Sequence, residues 1–256
     1  MKPLISVIIP VYNHAHSLER SLFSLYKQTY RPIEIVIVDD GSTDNFRGTM
    51  DKILKKDWTQ NLSIKIFQQE NRGAAAARNR GLSEVGGDYI IFWDADTIGM
   101  EQMFEKMLTA LESNPTANYA YSQYKFGWKK MKSRPFDAAS LKENNYIDTT
   151  TLIRRTAALP FDENIKRLQD WDLWLTMLEK KQTGIFVPEV LFRKIVCGRN
   201  GISNWLPSFF YRLPWKTRAV QEYEAARQVI LNKHSRQGQG VASREQDRRH
   251  ETEPVK

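Results

Sequence analysis

A single cysteine, Cys197, stands in a chain of 256 residues. One thiol excludes an internal disulfide framework and fits a reducing compartment. Histidine is also scarce. His14, His16, His234 and His250 are the full complement, and their spacing is not that of a zinc ligand set. No stretch approaches the roughly 20 apolar residues that a bilayer span requires. Met1-Lys2-Pro3 leads directly into an apolar run too short for the core of a secretory leader. These absences predict a cytoplasmic protein. Glycine is missing where many nucleotide-binding loops need it: Pro10-Val11-Tyr12-Asn13-His14 follows the first strand. That argues against a Gly-x-Gly-x-x-Gly oxidoreductase and against a nucleotidyltransferase with a glycine-rich phosphate loop.

What is present is a soluble, core-forming composition, 41% hydrophobic and 27% charged. The net charge of +8 calls for an anionic partner. Strand-like and helix-like stretches alternate. Leu4 to Pro10 reads as a buried strand, and Leu18, Leu22 and Leu25 mark a helix, with Ser17 as its expected cap. Ile33 to Val38 is a second strand, ending in Asp39-Asp40-Gly41-Ser42-Thr43-Asp44. A helical segment over 45–57, a strand at Ser63–Phe67 and an alanine-rich helix carrying Arg78 follow. Tyr89-Ile90-Ile91-Phe92-Trp93 then forms a short buried strand, with Asp94-Ala95-Asp96 just past its end and a helix over 101–113. Four repeats of strand and helix predict an α/β fold, a mainly parallel twisted sheet with helices on both faces. Right-handed crossovers bring the strand ends at 38–40 and 93–96 to one edge, where such sheets bind ligands. Two carboxylates one residue apart repel unless a cation lies beside them, so Asp94 and Asp96 form a candidate site for Mg²⁺ or Mn²⁺. A solvated acidic turn is the competing reading.

Ala117–Tyr124 and Asp148–Arg155 read as further strands. The lysine-rich stretch 125–145 between them reads as a long loop of the kind that often serves as a lid. Asp170 opens a helix whose apolar face holds Trp171, Trp174, Leu175 and Leu178, and a plain N-cap is the competing role for Asp170. Residues 193–218 hold six basic side chains, no acidic one, and interleaved Trp205, Phe209, Phe210, Tyr211 and Trp215. That pattern suits either core packing or peripheral contact with an anionic membrane, the inner face of the cytoplasmic membrane being the expected one. Nucleic acid ranks last, because no recognised binding motif accompanies the stretch.

With those segments in view, the chain resembles an inverting family 2 glycosyltransferase of the GT-A fold. The matching pieces run in order: Ser6-Val7-Ile8-Ile9-Pro10-Val11-Tyr12-Asn13, Ile35 to Asp44, Asn71-Arg72-Gly73 with Ala77-Arg78-Asn79-Arg80-Gly81, Phe92 to Asp96, and Gln169-Asp170-Trp171-Asp172-Leu173-Trp174. The resemblance implies a nucleotide-diphosphate sugar donor, with UDP as the expected nucleotide, and a hydroxyl acceptor on a glycan or lipid-linked glycan of the bacterial surface. It implies that Asp40 takes the uracil edge with Asp39 supporting it. Pro10, Tyr12 and Asn13 would line the nucleotide site, Arg78 would lie near the base or diphosphate, and Asp94 near the ribose or sugar. Asp96 would hold the metal and Asp170 would be the general base, with Asp172 a lesser candidate. Trp171 or Trp174 would be available as an apolar wall for a sugar ring or for the acceptor, with core packing the expected duty of at least one of them. A catalytic domain over 1–196 is expected, with a donor half to about 98, an acceptor half from 99, a partly helical extension over 197–233 and a disordered tail over 234–256. Two departures stand out. Gln169 occupies a position that is often acidic in the family, and no histidine follows the last core strand, where Arg193-Lys194-Ile195-Val196 stands. Lys194 or Arg199 is the available neutraliser of the diphosphate. These departures keep open a non-catalytic nucleotide-sugar-binding or membrane-scaffold reading, against which the joint presence of Asp40, Asp96 and Asp170 argues.

Overall fold

The computed structural model describes residues 2–195 and 217–250. Among the described residues nine strands form one sheet. The first half is laid down by β1 (Ile5–Val11), α1 (Ala15–Tyr26), β2 (Ile33–Asp39), α2 (Phe46–Leu54), β3 (Ser63–Gln68), α3 (Ala74–Glu84) and β4 (Tyr89–Phe92). The four strands are parallel, with β1 between β2 and β4 and Pro10 opposite Val38. Period-two burial explains the near-continuous apolar sequence of β1, β2 and β4, whereas the edge strand β3 is largely exposed. Ile5, Val7, Ile9, Ile35, Ile37 and Ile91 face one core with α1 and α2, while Ile8, Val36, Val38, Ile90 and Phe92 face the other with α3. Both faces are covered, so neither can afford polar alternation.

The second half comprises β5 (Thr97–Gly99), α4 (Met103–Glu112), β6 (Ala117–Phe126), β7 (Lys129–Lys130), α5 (Ala138–Glu143), β8 (Leu152–Arg154), α6 (Gln169–Glu179), β9 (Thr183–Lys194) and α7 (Arg218–His250). Across the sheet the strands run in the order β3-β2-β1-β4-β8-β6-β9-β5, with β7 paired to β6, and antiparallel pairs join the parallel ones here. The β4–β8, β8–β6, β9–β5 and β6–β7 pairs are antiparallel, and only β6–β9 is parallel. The sheet is therefore mixed, because the connections after β4 are short returns or long excursions rather than repeated crossover helices.

Some local expectations need correction. Ser17 does not cap α1. It lies inside the helix, its hydroxyl donating to the His14 carbonyl, and the free amide of Ala15 donates to Asp44 Oδ2 at 2.9 Å. A carboxylate from the next loop thus does the capping, where it also meets the positive end of the helix dipole. The stretch 125–145 is not one long loop. It holds the end of β6, the β7 turn and α5, which is capped by Asp137 Oδ1 accepting from the Ser140 amide at 2.7 Å. The expected tail at 234–256 is helical as far as His250. Its start is pinned to the body of the protein. Lys233 reaches Asp162 and Asp172, His234 bridges Asp172 and Glu179, and Ile230 is fully buried. Arg193 and Lys194 end β9. Residues 196–216 of the basic-aromatic stretch, including Arg199, Trp205, Phe209, Phe210, Tyr211 and Trp215, lie outside the described residues, and Arg218 opens α7.

Candidate active site

The C-terminal ends of β1, β2 and β4 meet at one edge, and two loops there are tied together by side chains. Asn13 takes a left-handed conformation at φ 56°. Its Oδ1 accepts from the backbone amides of Thr43 (2.7 Å) and Asp44 (3.1 Å), and its own amide donates to Ser42 Oγ. An amide side chain that satisfies backbone donors of a neighbouring loop fixes that loop's path. Gly41 makes the turn at φ +72°, where an added Cβ would sit 2.9 Å from the Asn71 amide nitrogen. Asp39 is buried, and accepts from the Ser42 amide (3.0 Å) and Gln68 Nε2 (3.2 Å). Asp40, also buried, accepts from Gln69 Nε2 (2.8 Å), the Arg72 amide (2.9 Å) and the Gly73 amide (2.8 Å). Asp40 therefore anchors the entry to α3, while Asp39 keeps more lone-pair capacity for a further donor. Pro10 is half-buried at the end of β1, and Tyr12 beyond it is exposed.

One charge cluster holds four expected residues near each other. Asp94 Oδ1 accepts from Arg78 Nη2 at 2.9 Å, and Asp94 Oδ2 from Lys194 Nζ at 2.8 Å. The same Lys194 Nζ lies 2.8 Å from Asp148 Oδ2. Burial would raise the Asp94 carboxyl, but Lys194 and Arg78 outweigh it and hold the group well below the usual range. Lys194 shows the mirror image. Burial disfavours its charge, and Asp148 and Asp94 more than restore it, so its ammonium is held well above the usual range. Arg78 also donates Nη1 to Gln169 Oε1 (2.9 Å) and stacks over Phe161. Gln169 thus accepts from the arginine as an acid at that position would, without adding charge.

Asp96 and Asp170 are the carboxylates that this network leaves short of positive charge. Asp96 is pushed up to about 6, first by burial and next by repulsion from Asp94. Among the described residues it makes no ion pair. Asp170 is raised too, by burial and then by Asp148, with Lys194 opposing. It is the second residue of α6, behind a left-handed Leu168, so it is not the N-cap. Its Oδ1 accepts from the Trp171 amide (2.9 Å) and its Oδ2 from Asn145 Nδ2 (2.8 Å), and each oxygen keeps a further lone pair. A polar cleft of about 280 Å³ of empty space opens on it, lined by Tyr124, Met131, Lys132, Asn145, Tyr146 and Ile147. Trp171 and Trp174 do not line it. Both are fully buried, their indole N–H groups donating to the carbonyls of Leu141 and Ile147. Asp172 is excluded as a base by its pairing with Lys233 and His234.

Four carboxylates (Asp94, Asp96, Asp148, Asp170) face two cations (Arg78, Lys194) in this cluster. Fully ionised, that is a deficit of two positive charges, the complement of one divalent cation. Among the described residues no group of three or more Asp, Glu, His or Cys side chains could hold a metal alone. The donor set therefore fits a hard cation held by Asp96 together with oxygens that a ligand brings. Asp148 and Asn145 were not legible as site residues. Neither sits in a motif, and both reach the site from segments between β6 and α6.

The profile of glycosyl transferase family 2 matches residues 6–168. An uncharacterized glycosyltransferase of Haemophilus influenzae is 31% identical over 210 residues, covering 79% of this chain and 82% of that protein. The putative teichuronic acid biosynthesis glycosyltransferase TuaG of Bacillus subtilis is 29% identical over 74% of this chain and 78% of its own length. An Escherichia coli protein, the UDP-Glc:alpha-D-GlcNAc-diphosphoundecaprenol beta-1,3-glucosyltransferase WfgD, is 30% identical over 69% of this chain and 70% of its own. Other relatives are longer, and the chain spans only 33% of an uncharacterized glycosyltransferase of Rickettsia conorii. Among solved structures, S. aureus TarS 1-349 in complex with UDP-GlcNAc superposes with a TM-score of 0.67 at 18% identity, over 91% of this chain and 71% of that one. A Pyrobaculum calidifontis mannosyltransferase in complex with GDP-Man and Mn²⁺ gives 0.63 at 21%, over 78% and 59%. The shared fold is GT-A, a mixed sheet with helices on both sides. With the family profile covering well over half of the sequence in the same stretch that builds the sheet edge, the chain belongs to glycosyl transferase family 2.

Proposed function

We propose that the chain transfers a sugar, with inversion, from a nucleotide-diphosphate donor to a hydroxyl of a glycan or lipid-linked glycan. Residues 1–196 form its catalytic domain in this reading. The observation that carries it is the charge deficit at the sheet edge, with Asp170 standing apart from the Asp94–Asp96 pair. Uridine is the preferred base, because UDP and UDP-GlcNAc occupy the TarS neighbours and WfgD uses UDP-Glc. Asp39 and Asp40 order the loop beside Pro10, Tyr12 and Asn13 into which the base fits, and Asp39 has the capacity to accept from its edge. Arg78 and Lys194 flank the diphosphate, and Asp94, fixed between them, faces the ribose or sugar.

A bound Mg²⁺ or Mn²⁺ would supply positive charge to the departing diphosphate, and Asp96 is the residue that would hold it. Asp170 accepts the proton of the acceptor hydroxyl as its oxygen bonds to the anomeric carbon. The bond from that carbon to the diphosphate oxygen breaks on the opposite side, and in-line displacement inverts the configuration. The raised Asp170 carboxyl makes it a stronger base than an ordinary aspartate. The acceptor belongs to surface polysaccharide assembly in this reading, as TuaG and WfgD suggest. The enzyme works in the cytoplasm, held peripherally at the membrane by 193–218.

Isothermal titration of UDP, GDP and dTDP, each with and without Mn²⁺, tests the proposal on the wild type and on Asp96→Ala. Metal-dependent binding of one nucleotide that the variant loses is the expected result. Binding of none of the three by the wild type would overturn it.

A further inference from the structure

The β6–β7 turn carries a feature that sugar transfer does not use. Phe126 pairs with Lys129 across a two-residue loop, Gly127-Trp128. Gly127 adopts φ 58°, the positive angle that a tight hairpin needs at its first loop position. The turn is held from both sides: the Gly127 amide donates to the Lys194 carbonyl (2.9 Å) and the Met131 amide to the Tyr124 carbonyl (2.9 Å). On this rigid tip Trp128 is 91% exposed, whereas the next most exposed large hydrophobic side chain among the described residues, Val229, is 54% exposed. Around it stand Lys125, Lys129, Lys130, Lys132 and Arg134, with no acidic residue between Tyr124 and Asp137. Lys125, Lys130 and Lys132 are exposed and make no ion pair among the described residues.

We propose that this hairpin tip docks on the surface of an anionic lipid bilayer. Tryptophan is the side chain best suited to the headgroup boundary, with an apolar ring to insert and an N–H to leave in the polar layer. Lys125, Lys130 and Lys132 supply point charges to anionic headgroups over a short range. A lone tryptophan lacks the series of aromatic platforms on which successive nucleic-acid bases stack. Tyr124, Met131 and Lys132 of the same hairpin also line the cleft that opens on Asp170. Docking therefore sets the cleft mouth at the bilayer, where a membrane-held acceptor presents its hydroxyl. The docking stands without the transferase reading; only this orientation of the acceptor rests on it. The hairpin adjoins the start of 193–218, since Lys125 and Phe126 pair with Arg193 and Lys194.

Flotation of the full chain with vesicles tests it. The vesicles are phosphatidylglycerol mixed with phosphatidylcholine, or phosphatidylcholine alone, at low and high salt. The wild type is expected to float with the anionic vesicles at low salt and to be released by salt. Each of Lys125→Ser and Lys130→Ser lowers the partition coefficient roughly fivefold. Trp128→Ala lowers it roughly tenfold, through the lost apolar burial. Unchanged unfolding midpoints identify these variants as folded. Hairpin variants that float like the wild type overturn the proposal, whichever other segment then holds the vesicle. So do equal binding to phosphatidylcholine alone, no binding to either vesicle, and displacement from the vesicle by a single-stranded oligonucleotide.

Discussion

Lys194→Met removes the cation shared by two carboxylates, and its cost follows from the geometry. Lys194 Nζ lies 2.8 Å from both Asp94 Oδ2 and Asp148 Oδ2, with side-chain exposures of 12% for the lysine, 25% for Asp94 and 9% for Asp148. Deleting one partner of a buried ion pair costs about 3–5 kcal/mol, because the stranded charge has no water to replace it. Asp94 keeps Arg78 and is partly solvated, so the loss belongs at the low end, about 3 kcal/mol. For a chain of this size that lowers the unfolding midpoint by about 6–12 °C. Equilibrium urea unfolding at neutral pH measures it. The deficit should shrink as pH falls. Lys194 holds down the carboxyls of Asp96 and Asp170, so without it both rise further, and protonation relieves the repulsion. Adding Asp148→Asn to Lys194→Met removes the worst-stranded charge and should recover about 1–2 kcal/mol, a coupling expected of residues in direct contact. A loss below about 1 kcal/mol, or no recovery in the double variant, would refute the view that this lysine balances the site.

Three other outcomes are expected. Asp170→Asn should lower sugar transfer by roughly 10²–10⁴-fold while leaving nucleotide affinity intact; the wild-type acid limb should lie above the ordinary aspartate value of about 3.9, since burial and Asp148 raise this carboxyl, and should vanish in the variant. His234 is disfavoured as a cation by burial, but Asp172 and Glu179 outweigh this and raise its pKa. The stability it contributes is then full below about 6.5 and lost as pH rises through the raised folded value. Urea unfolding of His234→Gln against the wild type should show the larger difference at pH values below about 6.5, and an equal difference in alkaline buffer would count against the clamp. Gly81→Ala should destabilise by about 1–3 kcal/mol, since its Cβ would meet Ile8 Cγ2 at 2.3 Å in a fully buried contact between α3 and β1; calorimetry showing no change would mean that the helix can shift freely.

Local pattern was enough for the first half of the molecule. Apolar runs bounded by proline, glycine or acidic residues give β1, β2 and β4, and the crossover rule alone brings Asp39, Asp40 and Asp94 to one edge. Asp170 could be singled out as a candidate because its motif sits at a helix start, and the chain's family could be read from motif order. The remaining decisions needed tertiary contact. Lys194 reaches Asp94 across 100 positions and Asn145 reaches Asp170 across 25. Neither pairing has a local signature, because a salt bridge depends on where two strand ends arrive and not on what precedes them in the chain. The cap of α1 came from Asp44 rather than Ser17 for the same reason: a loop fixed by Asn13 brings a better acceptor to the free amide. Trp171 and Trp174 carried aromatic character that suited a sugar wall, yet backbone carbonyls from the 141–147 segment satisfy their N–H groups inside the core. Sequence determined which side chains were available to the chemistry. The tertiary structure decided how their charges balance, because burial and distance set the sign and size of every electrostatic interaction.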